Sequence, residues 1–222
     1  MKLLAIETAT DACSVAVLSG DVLAERFSDE PRVHAQRVLG MVEACLDEAS
    51  IALRDLDALV FGRGPGSFTG VRIAAGVIQG LALGSELPVI GVSTLAGHAV
   101  AAARIHRVAR VAVAVDARMD ECYWGLYEVD HGVATALVDD LIADPADLAA
   151  PDGEGWVGVG TGWAAYPALA DNMPSVEVLD PALLPRAADL LANGAAAFAQ
   201  GRVERAEDAL PVYLREKVAW IS

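Results

Sequence analysis

Gly62-Arg63-Gly64-Pro65-Gly66-Ser67-Phe68-Thr69-Gly70-Val71-Arg72 joins a short apolar run, Ala58 to Phe61, to a long apolar segment that opens at Val71. That order reads as strand, glycine loop, helix. Glycine accepts positive φ and proline presets φ near about −65°, so the loop is a tight turn. Ser67 or Thr69 is placed to cap the helix that follows. Free N–H groups at such a helix start attract anions, which raises the possibility of a phosphate site. The spacing fits neither common phosphate fingerprint, G-x-x-x-x-G-K-[ST] or G-x-G-x-x-G. From Gly64 and Gly66 the next glycine, Gly70, arrives one residue late, and the loop holds no lysine. A structural turn and a ligand loop both remain open.

Upstream, Leu3 to Ile6 reads as a buried strand, Cys13 to Val17 as a second, and Val22 to Phe27 as a third that Pro31 ends; Gly20-Asp21 is a hairpin signal. His34 to Ala49 is helical, with Val38, Met41, Val42, Cys45, Leu46 and Ala49 at i, i+3, i+4, i+7 spacing. Downstream, Val71 to Leu83 is the second helix, Val89 to Val92 a strand, and Thr94 caps a helix to about Arg104. The first hundred residues therefore read β-β-β-α-β-α-β-α, a meander joined to right-handed crossovers in a mixed sheet. The basic tract Arg104 to Arg110 marks a boundary. Beyond it, strands are expected at Val111–Val115, Cys122–Val129, Gly132–Val138 and Trp156–Val159, a short helix or loop at Asp144–Pro151, and a helix at Ala187–Phe198. Val218-Ala219-Trp220 reads as ordered.

The chain has 222 residues, 55% of them hydrophobic, enough for a sizeable core in one large or two small domains. Its net charge of −15 repels phosphodiesters, so any service to a nucleic acid is expected through a more basic partner. Cys13, Cys45 and Cys122 are odd in number and far apart, which suits a reducing cytoplasm. Met1-Lys2 leads straight into a strand pattern without signal-peptide features. Mean hydropathy is +0.41. The uncharged stretch Leu87 to Ala103 holds Pro88, Ser93, Thr94 and His98 and falls short of the roughly 20 apolar residues of a span. It reads as buried strand plus helix, and no membrane association is expected.

Glu7-Thr8-Ala9-Thr10-Asp11-Ala12-Cys13-Ser14 places a carboxylate at a strand end and hydroxyls in the next turn. Thr8, Thr10, Asp11 and Ser14 are candidates for a degenerate phosphate loop, weighed against a plain hairpin. Asp116 and Asp120 are candidate acid/base carboxylates, but a solvated turn or partner contact around Arg118 competes with that reading. The four histidines share no metal-ligand spacing; Thr94, one helical turn before His98, stands where a second imidazole would be needed. No metal site, cofactor or catalytic nucleophile is expected. Gly76, Gly80 and Gly84 recur every four residues on the second helix. Each costs roughly 1 kcal/mol against alanine, so another backbone is expected to pass nearby, from the chain's own sheet or from another subunit.

Leu4 to Thr10, the glycine stretch 62–72, Gly91-Val92-Ser93-Thr94-Leu95, Asp116-Ala117-Arg118-Met119 and Pro211-Val212-Tyr213-Leu214-Arg215 together resemble the TsaB family of bacterial tRNA threonylcarbamoyladenosine biosynthesis proteins, from end to end. The resemblance implies an actin-like (ASKHA) α/β fold of two related subdomains, each a mixed β-sheet with packed helices. These are 1–104, with the tail 201–222 returning to it, and 105–200. It implies a non-catalytic subunit that activates TsaD, which transfers threonylcarbamoyl to adenosine 37 of tRNAs reading ANN codons. TsaD carries its metal on an H-x-x-x-H helix; the matching stretch here, Val92 to His98, keeps only the second histidine. Family members pair with TsaD through two helices, form homodimers through the same surface when alone, and present the heterodimer to the ATPase TsaE. Carried over, that surface lies on 34–49 and 71–83, with Val38, Met41, Val42, Cys45, Val71, Ala75, Ile78 and Ala82 as interface candidates. tRNA is expected to be held mainly by others. The alternative is an enzyme of the same fold, a metallopeptidase or ATPase; the missing histidine and the altered Glu7 loop argue against both.

Overall fold

The computed structural model describes residues 1–30 and 32–215. The expectations placed on Pro31 and on Val218-Ala219-Trp220 lie outside the described residues.

β1 (Lys2–Glu7), β2 (Cys13–Ser19) and β3 (Val22–Ser28) form an antiparallel meander. After α1 (His34–Glu48), β4 (Ala58–Gly62) lies parallel to β1, and after α2 (Phe68–Ser85), β5 (Val89–Val92) lies parallel to β4. The sheet order is β3-β2-β1-β4-β5. α3 (Thr94–His106) leads into the second half.

There β6 (Arg110–Arg118), β7 (Glu121–Asp130) and β8 (Val133–Ala136) form another meander, and β9 (Leu141–Ala143) adds to β7. β10 (Trp156–Val159) lies parallel to β6; α4 (Gly162–Ala165) and α5 (Pro167–Asn172) follow; β11 (Val176–Asp180) lies parallel to β10; α6 (Ala188–Ala199) closes the half. The order β8-β7-β6-β10-β11 repeats that of the first sheet, so the chain folds as two topologically related halves of the actin-like kind.

Both faces of the first sheet are covered at β1, β2, β4 and β5, which is why these strands read as nearly continuous apolar runs, whereas the edge strand β3 is largely exposed. Leu4, Ile6, Leu59 and Phe61 face α1 and α2; Leu3, Ala5 and Val60 face the interior. That interior holds α3 and α6 in exchanged positions. α3, from the first half, packs on β6, β7 and β8, while α6, from the second, packs on β1, β4 and β5. Arg104 of α3 forms a two-pronged ion pair with Asp189 of α6, at 2.8 and 3.1 Å. The return segment pairs Glu204 with Val89, receives a Gln79 hydrogen bond at Ala209 O, and donates Val212 N–H to Arg63 O.

The helix cap differs from expectation. Ser93, not Thr94, is the N-cap of α3, its hydroxyl accepting the Leu95 and Ala96 N–H groups. The Thr94 hydroxyl is engaged elsewhere.

Candidate functional site

The turn after β1 is pressed into the glycine loop. Ser67 N–H donates to Ala9 O at 2.7 Å, and the Thr8 hydroxyl donates to Gly70 O at 2.8 Å. A Cβ at Gly66 would stand 2.3 Å from Ala9 O, and one at Gly70 1.9 Å from Thr8 O. Close backbone approach thus requires these glycines. The amides of Ser67, Gly70 and Val71 are all spent within the chain, an arrangement that suits a structural turn. The phosphate-loop expectation is corrected for two of its four residues. Thr8 is buried, and the buried Ser14 donates to Arg26 O and accepts Ala187 N–H. Only Thr10 and Asp11 reach open space. They line a cleft of about 910 Å³ between the halves, together with Arg72, His98, Asp116 and Tyr213.

Behind the cleft lies a buried polar cluster. Glu7 is fully buried, accepts Ala9 N–H at 2.6 Å and receives the Thr94 hydroxyl at 3.1 Å. Loss of water pushes its carboxyl up to about 7, although these hydrogen bonds pull the other way. Its carboxyl group is engaged inside the fold rather than lining the cleft. His98 hydrogen-bonds Thr94 O through Nδ1 at 2.9 Å, and burial pushes its imidazole down to about 4. It is neutral at pH 7, and its Nδ1 must carry the proton to donate to that carbonyl.

Asp116 is occupied at the tip of the β6–β7 hairpin. It takes the Arg118 guanidinium at 2.9 Å, the Arg118 N–H at 2.8 Å and the Tyr166 hydroxyl at 2.9 Å. Arg118, Met119 and Asp120 all have positive φ. Arg215 from the return segment donates to the carbonyls of Ala117 and Arg118 and pairs with Glu121 at 2.6 Å. Such engagement suits a clamp that shapes the tip better than an acid/base pair.

The helix-face expectation is reversed in detail. Val38, Val42, Cys45, Ala75, Ile78 and Ala82 are buried in the chain's own core beneath α1 and α2, and Val71 is buried at the wall of the cleft; Met41 is half-buried, its sulfur near Cys13. The resemblance assigns the surface to these two helices, but their apolar residues mark the face toward the sheet. The outward face carries Leu39 and Leu83, 53% and 67% exposed, beside Gly76, Gly80 and Gly84. A Cβ at any of these three glycines would meet nothing within 4 Å. The chain's own sheet is therefore not the backbone they were expected to accommodate. The glycine repeat, rather than the apolar period, was the signal for the outer face.

The family described as "TsaD: tRNA N6-adenosine threonylcarbamoyltransferase" matches residues 22–222. The chain is 47% identical to the tRNA threonylcarbamoyladenosine biosynthesis protein TsaB of Escherichia coli, over 99% of this chain and 97% of that protein. It is 36% identical to TsaB of Haemophilus influenzae, over 99% and 96%. Among solved structures, YeaZ from Pseudomonas aeruginosa is 47% identical with a TM-score of 0.89, over 96% of this chain and 99% of that one.

Proposed function

Since the chain belongs to the TsaB family of tRNA threonylcarbamoyladenosine biosynthesis proteins, we propose that it serves this modification as a non-catalytic subunit. It binds TsaD through the outer face of α1 and α2 and holds it in an active arrangement, a shift of population rather than a bond-making role. The observation that carries this reading is the open glycine stripe of α2. Only a third of the residues of this 18-residue helix are buried, which leaves small residues and Leu83 facing outward. Glycines spaced by four let a second helix approach closely, and exposed apolar faces of this kind mark interfaces. The internal engagement of Glu7, Thr94 and Asp116 supports the non-catalytic part of the reading.

The same face pairs two copies of the chain when TsaD is absent, and TsaE joins the heterodimer. tRNA contacts fall mainly to the partners, in keeping with the charge of −15. Three widely separated, unpaired cysteines suit work in the cytoplasm.

Reconstitution decides the matter. Threonylcarbamoylation of tRNA by TsaD and its partners is expected to fall at least about tenfold without this chain, a loss of about 1.4 kcal/mol in transition-state stabilisation. Undiminished modification in its absence rejects the role.

A further inference from the structure

A second cavity, of about 400 Å³, opens where the glycine loop, the start of α3, residues 139–140 and the end of α6 meet. None of its polar groups belongs to the helix face proposed above. Arg63 is held there through its backbone: its N–H donates to Val92 O at 2.9 Å and its carbonyl accepts Val212 N–H at 2.8 Å. Its side chain runs across Gly91, where a Cβ would stand 2.8 Å from Arg63 Cδ. Glycine at 91 thus makes room for the stem of the Arg63 side chain at the cavity. Arg202 lines the same space, its Nε donating to Gln200 at 2.8 Å. Among the described residues neither arginine has a carboxylate within 4.0 Å.

Two carboxylates line the cavity as well. Asp140 is half-buried and accepts the Ser93 hydroxyl at 2.5 Å and the Tyr127 hydroxyl. Asp139 beside it is exposed and has no hydrogen-bonded partner among the described residues. The Arg63 charge is felt at Asp140, yet the two groups do not touch. Two guanidiniums and two carboxylates therefore share one small space without closing on one another.

That pattern selects a ligand. A simple anion would meet Asp139 and Asp140, and a simple cation would meet Arg63 and Arg202. A small zwitterion satisfies both sets, and its charged hydrogen bonds are the strong kind. Val92, Ala96, Ala134, Ala136 and Ala197 supply an apolar wall of short side chains. We propose that this cavity binds a free α-amino acid with an aliphatic side chain, its carboxylate on Arg63 and Arg202 and its ammonium toward Asp139 and Asp140.

Calorimetric titration with L-valine, isovalerate and isobutylamine separates the parts of the idea. Saturable binding of L-valine with a Kd of about 1 mM or tighter is expected, and at least about tenfold weaker binding of both analogues, each of which lacks one charge. Arg63→Gln is expected to weaken L-valine binding at least about tenfold. The exposed pair Arg202→Gln and Asp139→Asn serves as a second variant, with the same direction expected and little demand on folding. No saturable heat with L-valine or L-alanine up to about 20 mM overturns the proposal. So does isovalerate binding as tightly as valine, or an affinity unchanged in the double variant. Pairing with TsaD is a separate readout, so either idea can fail alone.

Discussion

Two buried groups touching Thr94 give the molecule opposed responses to pH. Glu7 rises from 4.5 to about 7 on folding, so the fold favours its protonated form. That contribution is complete below about pH 4.5 and is lost as pH climbs through 7, about 3 kcal/mol in all. His98 falls from 6.5 to about 4, so the fold favours its neutral form. Its contribution, of similar size, is complete above about pH 6.5 and is lost as pH drops through 4. The two slopes oppose each other. Glu7→Gln is expected to make stability fall more steeply toward acid than in the parent, and His98→Gln to make it fall more steeply toward neutrality. Urea midpoints at pH 4.5 and 7, each compared with the parent, provide the check; parallel shifts at both pH values would refute the assignment. The sequence displayed the glutamate and the histidine but not this pairing. A carboxylate at a strand end looks solvent-facing until Gly62 and the start of α3 close over it, and that closure is tertiary. The absent second imidazole was legible because ligand spacing on a helix is local. The hydroxyl of Thr94 finding Glu7, eighty-seven residues away, was not.

Helices α1 and α2 show how element-scale periodicity informs and misleads. The elements themselves were legible: β1 to α3 follow the expected order, because buried strands and strongly periodic helices announce themselves. The role of each face was not. On α1 the apolar stripe is the inner face, and on α2 apolar residues surround the axis, so only the glycines distinguish outside from inside. Two substitutions separate the faces. Ile78→Arg places an unpaired charge in the core and is expected to cost several kcal/mol, giving a misfolded or aggregated product by circular dichroism. Leu83→Glu lies on the exposed face. It is expected to leave the dichroism spectrum and urea midpoint nearly unchanged, within about 0.5 kcal/mol, while gel filtration shows pairing lost. A soluble, folded Ile78→Arg chain would contradict the inward orientation, and undisturbed pairing in Leu83→Glu would remove the outer face from the proposed contact. The second half was less legible for a physical reason. Between Trp163 and Ala187 the chain alternates short helical turns with prolines, and β11, an edge strand with Glu177 exposed, offers no sustained period.

At the scale of the whole molecule, the exchange of α3 and α6 is expected to make the halves unfold as one cooperative unit. A division at the basic tract after α3 follows composition, but packing does not stop there. α3 buries Leu95, Ala99 and Ala102 in the core shared with the second sheet, and α6 brings Leu190 and Leu191 to the same core. Separating the halves would strip a helix from each and expose both apolar interiors. The Arg104–Asp189 pair lies across this exchange, with the Asp189 side chain only 1% exposed. Removing the guanidinium by Arg104→Ala leaves a buried carboxylate held, among the described residues, by the Arg186 N–H alone. Because Arg104 itself is 46% exposed, the expected cost is about 2 kcal/mol, below that of a fully buried pair. A sharper test cuts the chain. Residues 1–106 expressed alone are expected to lack a cooperative urea transition, and likewise 107–222, whereas co-expression should restore one transition with native dichroism. Two fragments that each unfold cooperatively would mean that the halves fold independently. The exchanged helices would then be a docking arrangement, and Arg104→Ala should alter how the halves associate without changing the stability of either.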